Sequence, residues 1–331
     1  MYKVLVTARS FGRFSQKPFQ IIEEAGYGFI DNPWPGCKLT EEQLLKLIDG
    51  ADALICGEDP VSEKVIKAAP KLKVIAKFGV GVDKIDLNAA AARGIAVCNT
   101  PGANNESVAD MAFSLMLGVA RNLPSVDRLV REGNWQPVVG CELYKKTLGI
   151  VGLGKIGKGV ACRAKGFTMK VLAYDEYPDK EFMDKNSIEA VSLEDLLQRS
   201  DFVSLHVPSL PQTKGLIGAK QLSMMKCSAY LINTARGDIV DENALFNTLQ
   251  TGQIAGAGLD VFAKEPPLDC PLLKLPNVVL APHIAAHTVE AIDNMGLMSA
   301  CNVIDILSKK KNNFIVNLKA LRKEADYVKN I

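Results

Sequence analysis

The stretch Thr147-Leu-Gly-Ile-Val-Gly-Leu-Gly-Lys-Ile-Gly157, followed by a helix-like run and then Lys170-Val-Leu-Ala-Tyr-Asp175, decides the fold. Leu148–Val151 is a short apolar run, the composition of a parallel strand covered on both faces. Gly152, Gly154 and Gly157 follow it at G-x-G-x-x-G spacing. The first glycine permits a tight turn, the second lets backbone approach a pyrophosphate, and the third lets the next helix pack closely on its strand. That helix directs unpaired N–H groups and its positive dipole end at the phosphates. Lys170–Tyr174 then reads as a second strand. It delivers Asp175 to the position where an acid hydrogen-bonds a ribose 2′-hydroxyl. Glycines at this spacing also occur in a plain strand–helix turn beside an incidental surface aspartate. The strand before, the helix after and the acid at the end of the next strand together favour dinucleotide binding. Glu176 follows Asp175, with no arginine nearby to take a 2′-phosphate, so NAD(H) is expected rather than NADP(H).

The 331 residues suffice for about two domains. With 48% hydrophobic and 23% charged residues, the composition is that of a soluble globular protein. A net charge of +2 offers no basic stripe for a nucleic acid. The cationic run Lys309–Lys311 reads as the solvated end of a helix. Eight cysteines are scattered without C-x-x-C spacing, which suggests reduced thiols used as small core residues, with no metal site. The start, Met1-Tyr-Lys-Val-Leu-Val6, reads as a strand and lacks a signal peptide's apolar block. No apolar run approaches the ~18 residues of a membrane span, so a cytoplasmic protein is expected.

Strands and helices alternate already in residues 1–99. Lys3–Thr7, Ala53–Cys56 and Leu72–Lys77 read as strands. Thr40-Glu-Glu-Gln43 is a capping box opening a helix through Ile48, and Ser62–Ala69 is a short helix stopped by Pro70. Phe78-Gly-Val-Gly-Val-Asp83 ends a strand; its N–H groups can receive a carboxylate, or the turn is simply a chain reversal. Asn99-Thr-Pro-Gly102 is a breaker cluster and the first expected boundary. Glu106–Ala120 has helical periodicity with apolar residues on more than one side, so it packs within the chain or against a second subunit. Further strands are expected at Phe202–Leu205, Ala229–Asn233, Ala255–Leu259 and Val278–Leu280, and a long helix at Thr288–Leu307. Leu318, Leu321, Ala325 and Val328 fall at helix spacing, so the tail docks as a short helix or frays.

This alternation predicts an α/β protein of two parallel-sheet domains, Rossmann-like and flavodoxin-like, with a cleft between them. Residues 1–99 and 288–331 form a discontinuous substrate domain, and residues 100–287 the NAD-binding Rossmann domain.

Three later pieces lie at or beyond strand ends, where open α/β sheets place ligands: Asn233–Asp241, Gly258–Pro267 and Ala281–His287. They supply an arginine, an acid and a histidine, the functions that reduction of a 2-keto acid uses. Arg236 can fork onto a carboxylate and polarise the carbonyl. His283 can exchange a proton with the carbonyl oxygen, and Glu265 can orient the imidazole and stabilise its protonated form. Taken singly, Arg236 is also an ordinary turn residue and Glu265 an ordinary loop acid.

The ordered motifs Phe78–Asp83, Asn99–Asp110, Gly152–Gly157, Asn233–Leu245, Leu259–Pro267 and Pro282–Thr288 closely resemble those of the D-isomer-specific 2-hydroxyacid dehydrogenases, in particular the phosphoglycerate dehydrogenase-like branch. The resemblance runs from Lys3 to about Asn317. It implies an NAD-dependent oxidoreductase acting on a small 2-hydroxy or 2-keto acid, with Arg236, Glu265 and His283 as the catalytic arginine, acid and acid/base histidine. Val80 and Gly81 match backbone donors to the substrate carboxylate, and Asn104 a polar residue at the substrate. Gly154, Lys155, Ile156 and Asp175 match pyrophosphate and ribose contacts. His206, Pro208 and Thr213 match the adenosine pocket wall, and Thr234, Ala235 and Asp260 the nicotinamide half. Relatives are generally homodimers through the nucleotide domain. Where that branch has an Arg-Ser pair for a substrate phosphate, this chain has Gly57-Glu58; Arg9, Ser10 or Arg13 are candidate substitutes. The early chain end argues against the regulatory domain of some relatives. Glyoxylate or hydroxypyruvate reduction is an alternative activity, and an NAD-sensing corepressor-type binding protein an alternative class.

Overall fold

Short apolar runs become parallel strands in the computed structural model, which describes residues 1–321. The chain divides into two units, Met1–Asn104 with His287–Ile331, and Asn105–Ala286. The crossings fall just after the Asn99–Gly102 breaker cluster and just before the helix capped by Thr288.

In the first unit, Lys3–Val6 (β1), Gly28–Ile30 (β2), Ala53–Cys56 (β3), Val74–Lys77 (β4) and Ala96–Cys98 (β5) form a five-stranded sheet. Its order β2-β1-β3-β4-β5 is all parallel, the flavodoxin-like arrangement. Every residue of β3 and β4 is buried, because helices cover both faces. The capping box forms as expected: the Thr40 hydroxyl accepts from the Gln43 N–H and the Gln43 side chain accepts from the Thr40 N–H. Such a cap is worth about 1 kcal/mol. The long helix Val289–Leu307 is capped by Thr288 and packs on β4 and on the helix Lys17–Glu24. At its tail, Leu318–Leu321 makes one helical turn; Ala325 and Val328 lie outside the described residues.

In the second unit, Thr147–Val151 (β6), Lys170–Tyr174 (β7), Ile188–Ala190 (β8), Phe202–Leu205 (β9), Tyr230–Asn233 (β10), Gly256–Leu259 (β11) and Val278–Leu280 (β12) form a seven-stranded parallel sheet. Its order, β8-β7-β6-β9-β10-β11-β12, places the reversal of direction between β6 and β9, where a Rossmann sheet binds its dinucleotide. The helix Asn105–Ala120 buries Val108, Ala112, Leu115, Met116 and Val119 and packs on β10, β11 and the helix Lys155–Ala164 of the same unit. Most of its apolar residues are thus buried within the chain, with Leu117 left exposed.

Sequence periodicity misses β2, β5 and β8. Each has three residues and lies at a sheet edge, too short for a period of two to register. The expectation of cysteines as core residues holds for Cys56 and Cys98, which are buried with thiols pushed up to about 12. It fails for Cys37, Cys162, Cys227 and Cys301, which are exposed.

Candidate active site

The glycine turn after β6 is built for close approach. Gly152 has φ +94°, and a Cβ on Gly157 would lie 2.2 Å from the Gly152 carbonyl oxygen. Only glycine lets the helix Lys155–Ala164 start so near its strand. At Gly154, by contrast, a Cβ would meet nothing within 4 Å. Gly154 is also the N-cap residue and, lacking a side chain, provides no cap of its own. This helix end fits a pyrophosphate. Asp175, at the end of β7, accepts from the Leu153 N–H at 2.6 Å and the Tyr177 N–H at 2.8 Å, which fixes its carboxylate beside the glycine turn. Lys155 opens the helix, and Ile156 packs into the core beneath it.

On the other side of the switch point, the His206 ring meets the Ser204 hydroxyl through Nε2 at 2.8 Å. Its buried Nδ1 has no hydrogen-bond partner, and neither has the buried Thr234 hydroxyl. Burial pushes the His206 imidazole down to about 3, so it is neutral at ordinary pH. Unpartnered buried polar atoms are uncommon, and two of them on strand ends of the nucleotide-type sheet fit a polar ligand. Pro208 and Thr213 close the loop after β9, where the Thr213 hydroxyl donates to the Pro208 carbonyl at 2.6 Å.

Arg236, Glu265 and His283 leave the carboxyl ends of three adjacent strands, β10, β11 and β12. His283 Nδ1 and Glu265 Oε2 are 2.8 Å apart, so the acid and the histidine are brought together. Glu265 Oε1 accepts from the Phe262 N–H at 3.2 Å. With Nδ1 engaged by a carboxylate, the orientation of the imidazole ring is set. Arg236 is held through its backbone: the Asn233 side chain donates to the Arg236 carbonyl at 2.8 Å and accepts from the Ala235 N–H at 3.0 Å.

The histidine loop is moulded by Asp260. His283 has φ 55°, a left-handed conformation costly for a non-glycine residue. Three successive N–H groups enforce it: His283 donates to the Asp260 carbonyl at 2.8 Å, and Ile284 and Ala285 donate to the two carboxylate oxygens at 2.8 and 2.9 Å. Asp260 is fully buried; burial raises its pKa, opposed by those two N–H groups. Asp260, expected at the nicotinamide, therefore also holds the His283 loop. Sequence reading also passed over Gly237, where a Cβ would sit 1.9 Å from the Phe262 carbonyl carbon. That contact presses the turn after Arg236 onto the loop bearing Glu265.

In the first unit, Val80 and Gly81 follow β4 in a loop held by hydrogen bonds of Phe78, Gly79 and the Val80 carbonyl. The Val80 and Gly81 N–H groups lie outside those bonds. Asn104 is buried, its side-chain oxygen without a hydrogen-bond partner. At the end of β3, Glu58 pairs with Lys77 of β4, whose side chain is 5% exposed. Arg9 and Arg13 are exposed in the loop after β1, and Ser10 is buried.

A family model described as D-isomer specific 2-hydroxyacid dehydrogenase, NAD binding domain, matches residues 113–285. A glyoxylate reductase of Korarchaeum cryptofilum is 48% identical over 273 residues, covering 80% of this chain and 82% of its own. A D-3-phosphoglycerate dehydrogenase of Methanocaldococcus jannaschii is 41% identical over 328 residues, which is 98% of this chain and 61% of that longer protein. Among solved structures, a protein of Thermus thermophilus superposes with a TM-score of 0.87 at 38% identity, over 95% of this chain and 99% of its own.

Proposed function

The chain belongs to the D-isomer-specific 2-hydroxyacid dehydrogenase family, and from that we propose that it interconverts a small D-2-hydroxy acid and its 2-keto acid with NAD(H). The observation that carries the reading is the 2.8 Å bond between His283 Nδ1 and Glu265 Oε2. Bound NADH supplies the hydride for the carbonyl carbon. His283 gives the carbonyl oxygen its proton from Nε2, and takes it back in the oxidative direction. Glu265 keeps the ring in the tautomer that presents Nε2 and stabilises the imidazolium. Arg236 engages the substrate carboxylate and polarises the carbonyl; in the first unit, the family resemblance assigns the Val80 and Gly81 N–H groups to a carboxylate. Asn104, Thr234 and His206 offer their unpartnered buried atoms to substrate and cofactor.

The substrate we assign is unphosphorylated, of the glyoxylate or hydroxypyruvate kind. At the position where phosphoglycerate dehydrogenases carry an arginine there is Gly57, and the next residue is an acid whose counter-cation, Lys77, is already engaged. A phosphate brought there meets a carboxylate, and a cation for it would have to come from Arg9 or Arg13, exposed in the loop after β1. We further assign a homodimer through the second unit. The helix Leu123–Arg131 buries none of its residues, and Leu123, Val130, Trp135 and Val139 are exposed on it and on the segment that follows. Apolar exposure of that kind marks a protein interface. Trp135→Glu should yield monomers by light scattering; an unchanged dimer removes this surface from consideration. Eight unbridged cysteines suit a reducing compartment such as the cytoplasm.

The activity is tested by NADH oxidation with glyoxylate, hydroxypyruvate, pyruvate, 2-ketoglutarate and 3-phosphohydroxypyruvate. Turnover should favour the small unphosphorylated acids. Because general acid–base catalysis contributes about 10²–10⁴-fold, His283→Ala should lose about that much while NADH still binds. Near-normal turnover by that variant refutes the role of His283. NADH binding without turnover of any keto acid favours an NAD-sensing binding protein instead.

A further inference from the structure

We propose that Glu242 is a positioning residue that clamps the loop bearing Glu265 and so holds the Glu265–His283 pair in register. The inference rests on the reading of that pair as the acid–base machinery. Glu242 opens the helix Glu242–Gln250, whose N-cap Asp241 accepts from the Asn243 and Ala244 N–H groups. The helix start is therefore fixed independently of Glu242, whose carboxylate is left to reach across to the loop after β11. Its Oε1 accepts from the Ala263 N–H at 2.7 Å, and the Cys270 thiol donates to its Oε2 at 3.8 Å. One carboxylate thus ties both ends of the segment 263–270, with Glu265 between them.

The division of donors is specific. Two successive N–H groups leave the end of β11 in this loop: that of Phe262 goes to Glu265, and that of Ala263 goes to Glu242. With the second anchored, the first is aimed at the Glu265 carboxylate, whose other oxygen faces His283 Nδ1. Without it, the Ala263 N–H turns to water and the segment that orients Glu265 pivots about the Gly237 contact. The far end holds because burial raises the Cys270 thiol and keeps it a donor at neutral pH. Alignment at reacting atoms is sensitive: a displacement of about 1 Å costs about 10²-fold.

The test is steady-state kinetics on the full chain with a turned-over keto acid, alongside NADH titration by fluorescence and thermal melting. Glu242→Ala should lower kcat about 10-fold or more, with the KM for keto acid and the affinity for NADH little changed. Glu242→Gln presents an amide oxygen to the Ala263 N–H and should recover kcat to within about twofold. Glu242→Asp keeps the charge at the helix start but withdraws the carboxylate by one methylene; it should lose kcat while folding normally, which keeps the test open if the alanine variant is unstable. The clamp is overturned if Glu242→Asp or a folded Glu242→Ala retains wild-type kcat, or if Glu242→Gln falls as far as alanine. A His283→Ala control separates the two readings. Full turnover there defeats the pair itself, whereas loss there with none in the Glu242 variants defeats only the clamp.

Discussion

Adding one methyl group at Gly237 should separate the arginine from the acid without touching either side chain. A Cβ at this position would lie 1.9 Å from the Phe262 carbonyl carbon, 2.2 Å from its oxygen and 2.3 Å from the Ala263 nitrogen. All three are backbone atoms, so no flexible side chain can swing aside. Ordinary contact begins near 3.4 Å, so the turn after Arg236 and the loop bearing Glu265 must part by about 1.5 Å, the difference of those two distances. Overpacking of this kind costs about 1–3 kcal/mol. In a domain of this size that is a fall in Tm of about 2–4 °C per kcal/mol. Catalysis should suffer more than stability, because displacements of about 1 Å at reacting groups cost about 10²-fold. In Gly237→Ala we expect a soluble protein that melts several degrees lower, binds NADH and reduces keto acid about 10²-fold more slowly. The assay is single-turnover NADH oxidation under saturating substrate, with melting curves recorded on the same preparation. Wild-type turnover with an unaltered Tm would show that the two loops do not depend on their mutual contact.

Asp260→Asn replaces one acceptor oxygen with an amide that faces a backbone N–H, where it can only repel. Hydrogen bonds to charged groups contribute about 1.5–3 kcal/mol, so the variant should melt lower and lose kcat with the His283 turn; equal kinetics in the two proteins would contradict the role given to Asp260. His206 makes stability depend on acid. Its imidazole is held neutral down to about 3 when folded, against 6.5 as the ordinary value, so between those limits the unfolded chain binds more protons. Its contribution to stability is therefore present above about pH 6.5 and is lost as pH falls. His206→Asn should flatten the decline of the urea midpoint between pH 7 and pH 4.5, and an identical slope would show that another group is responsible.

Much of the site is legible because its signals are local. Gly152 and Gly157 are constrained by a turn that begins and ends within a few residues, so their spacing, read with the strand before and the helix after, states the requirement. Arg236, Glu265 and His283 stand in runs whose residue types and order are informative together. The role of Asp260 is hidden because its partners Ile284 and Ala285 are 24 and 25 residues away. Only the parallel register of β11 with β12, Leu259 opposite Leu280, brings them beneath it. Gly237 and Glu242 escape notice for the same reason, since both act on a loop that follows the next strand. The edge strands β2, β5 and β8 escape for a different one: with three residues each, they contribute few side chains to either face, and only β12 of that length is recognised.

These non-local contacts answer a physical difficulty in the arrangement. Side chains proposed to meet a soluble substrate cannot be fixed by burial; those of His283 and Glu265 are 34% and 35% exposed. Close packing, which immobilises the core below, is unavailable to them. Here the backbone is fixed in its place. Asn233, at the end of β10, holds the Arg236 turn; Asp260, at the end of β11, holds the His283 turn; and both residues are almost wholly buried. Each is the first residue to leave the interior of the sheet or the last within it, so each inherits the position of its strand to a fraction of a residue and passes it to the loop above. The Asp260 N–H in turn donates to the Asn233 carbonyl at 3.0 Å, which couples the two. Precision at the exposed side chains is therefore set by the ladder of β10, β11 and β12, and a change that shifts these strands relative to one another should impair the proposed catalysis even where Arg236, Glu265 and His283 are all retained.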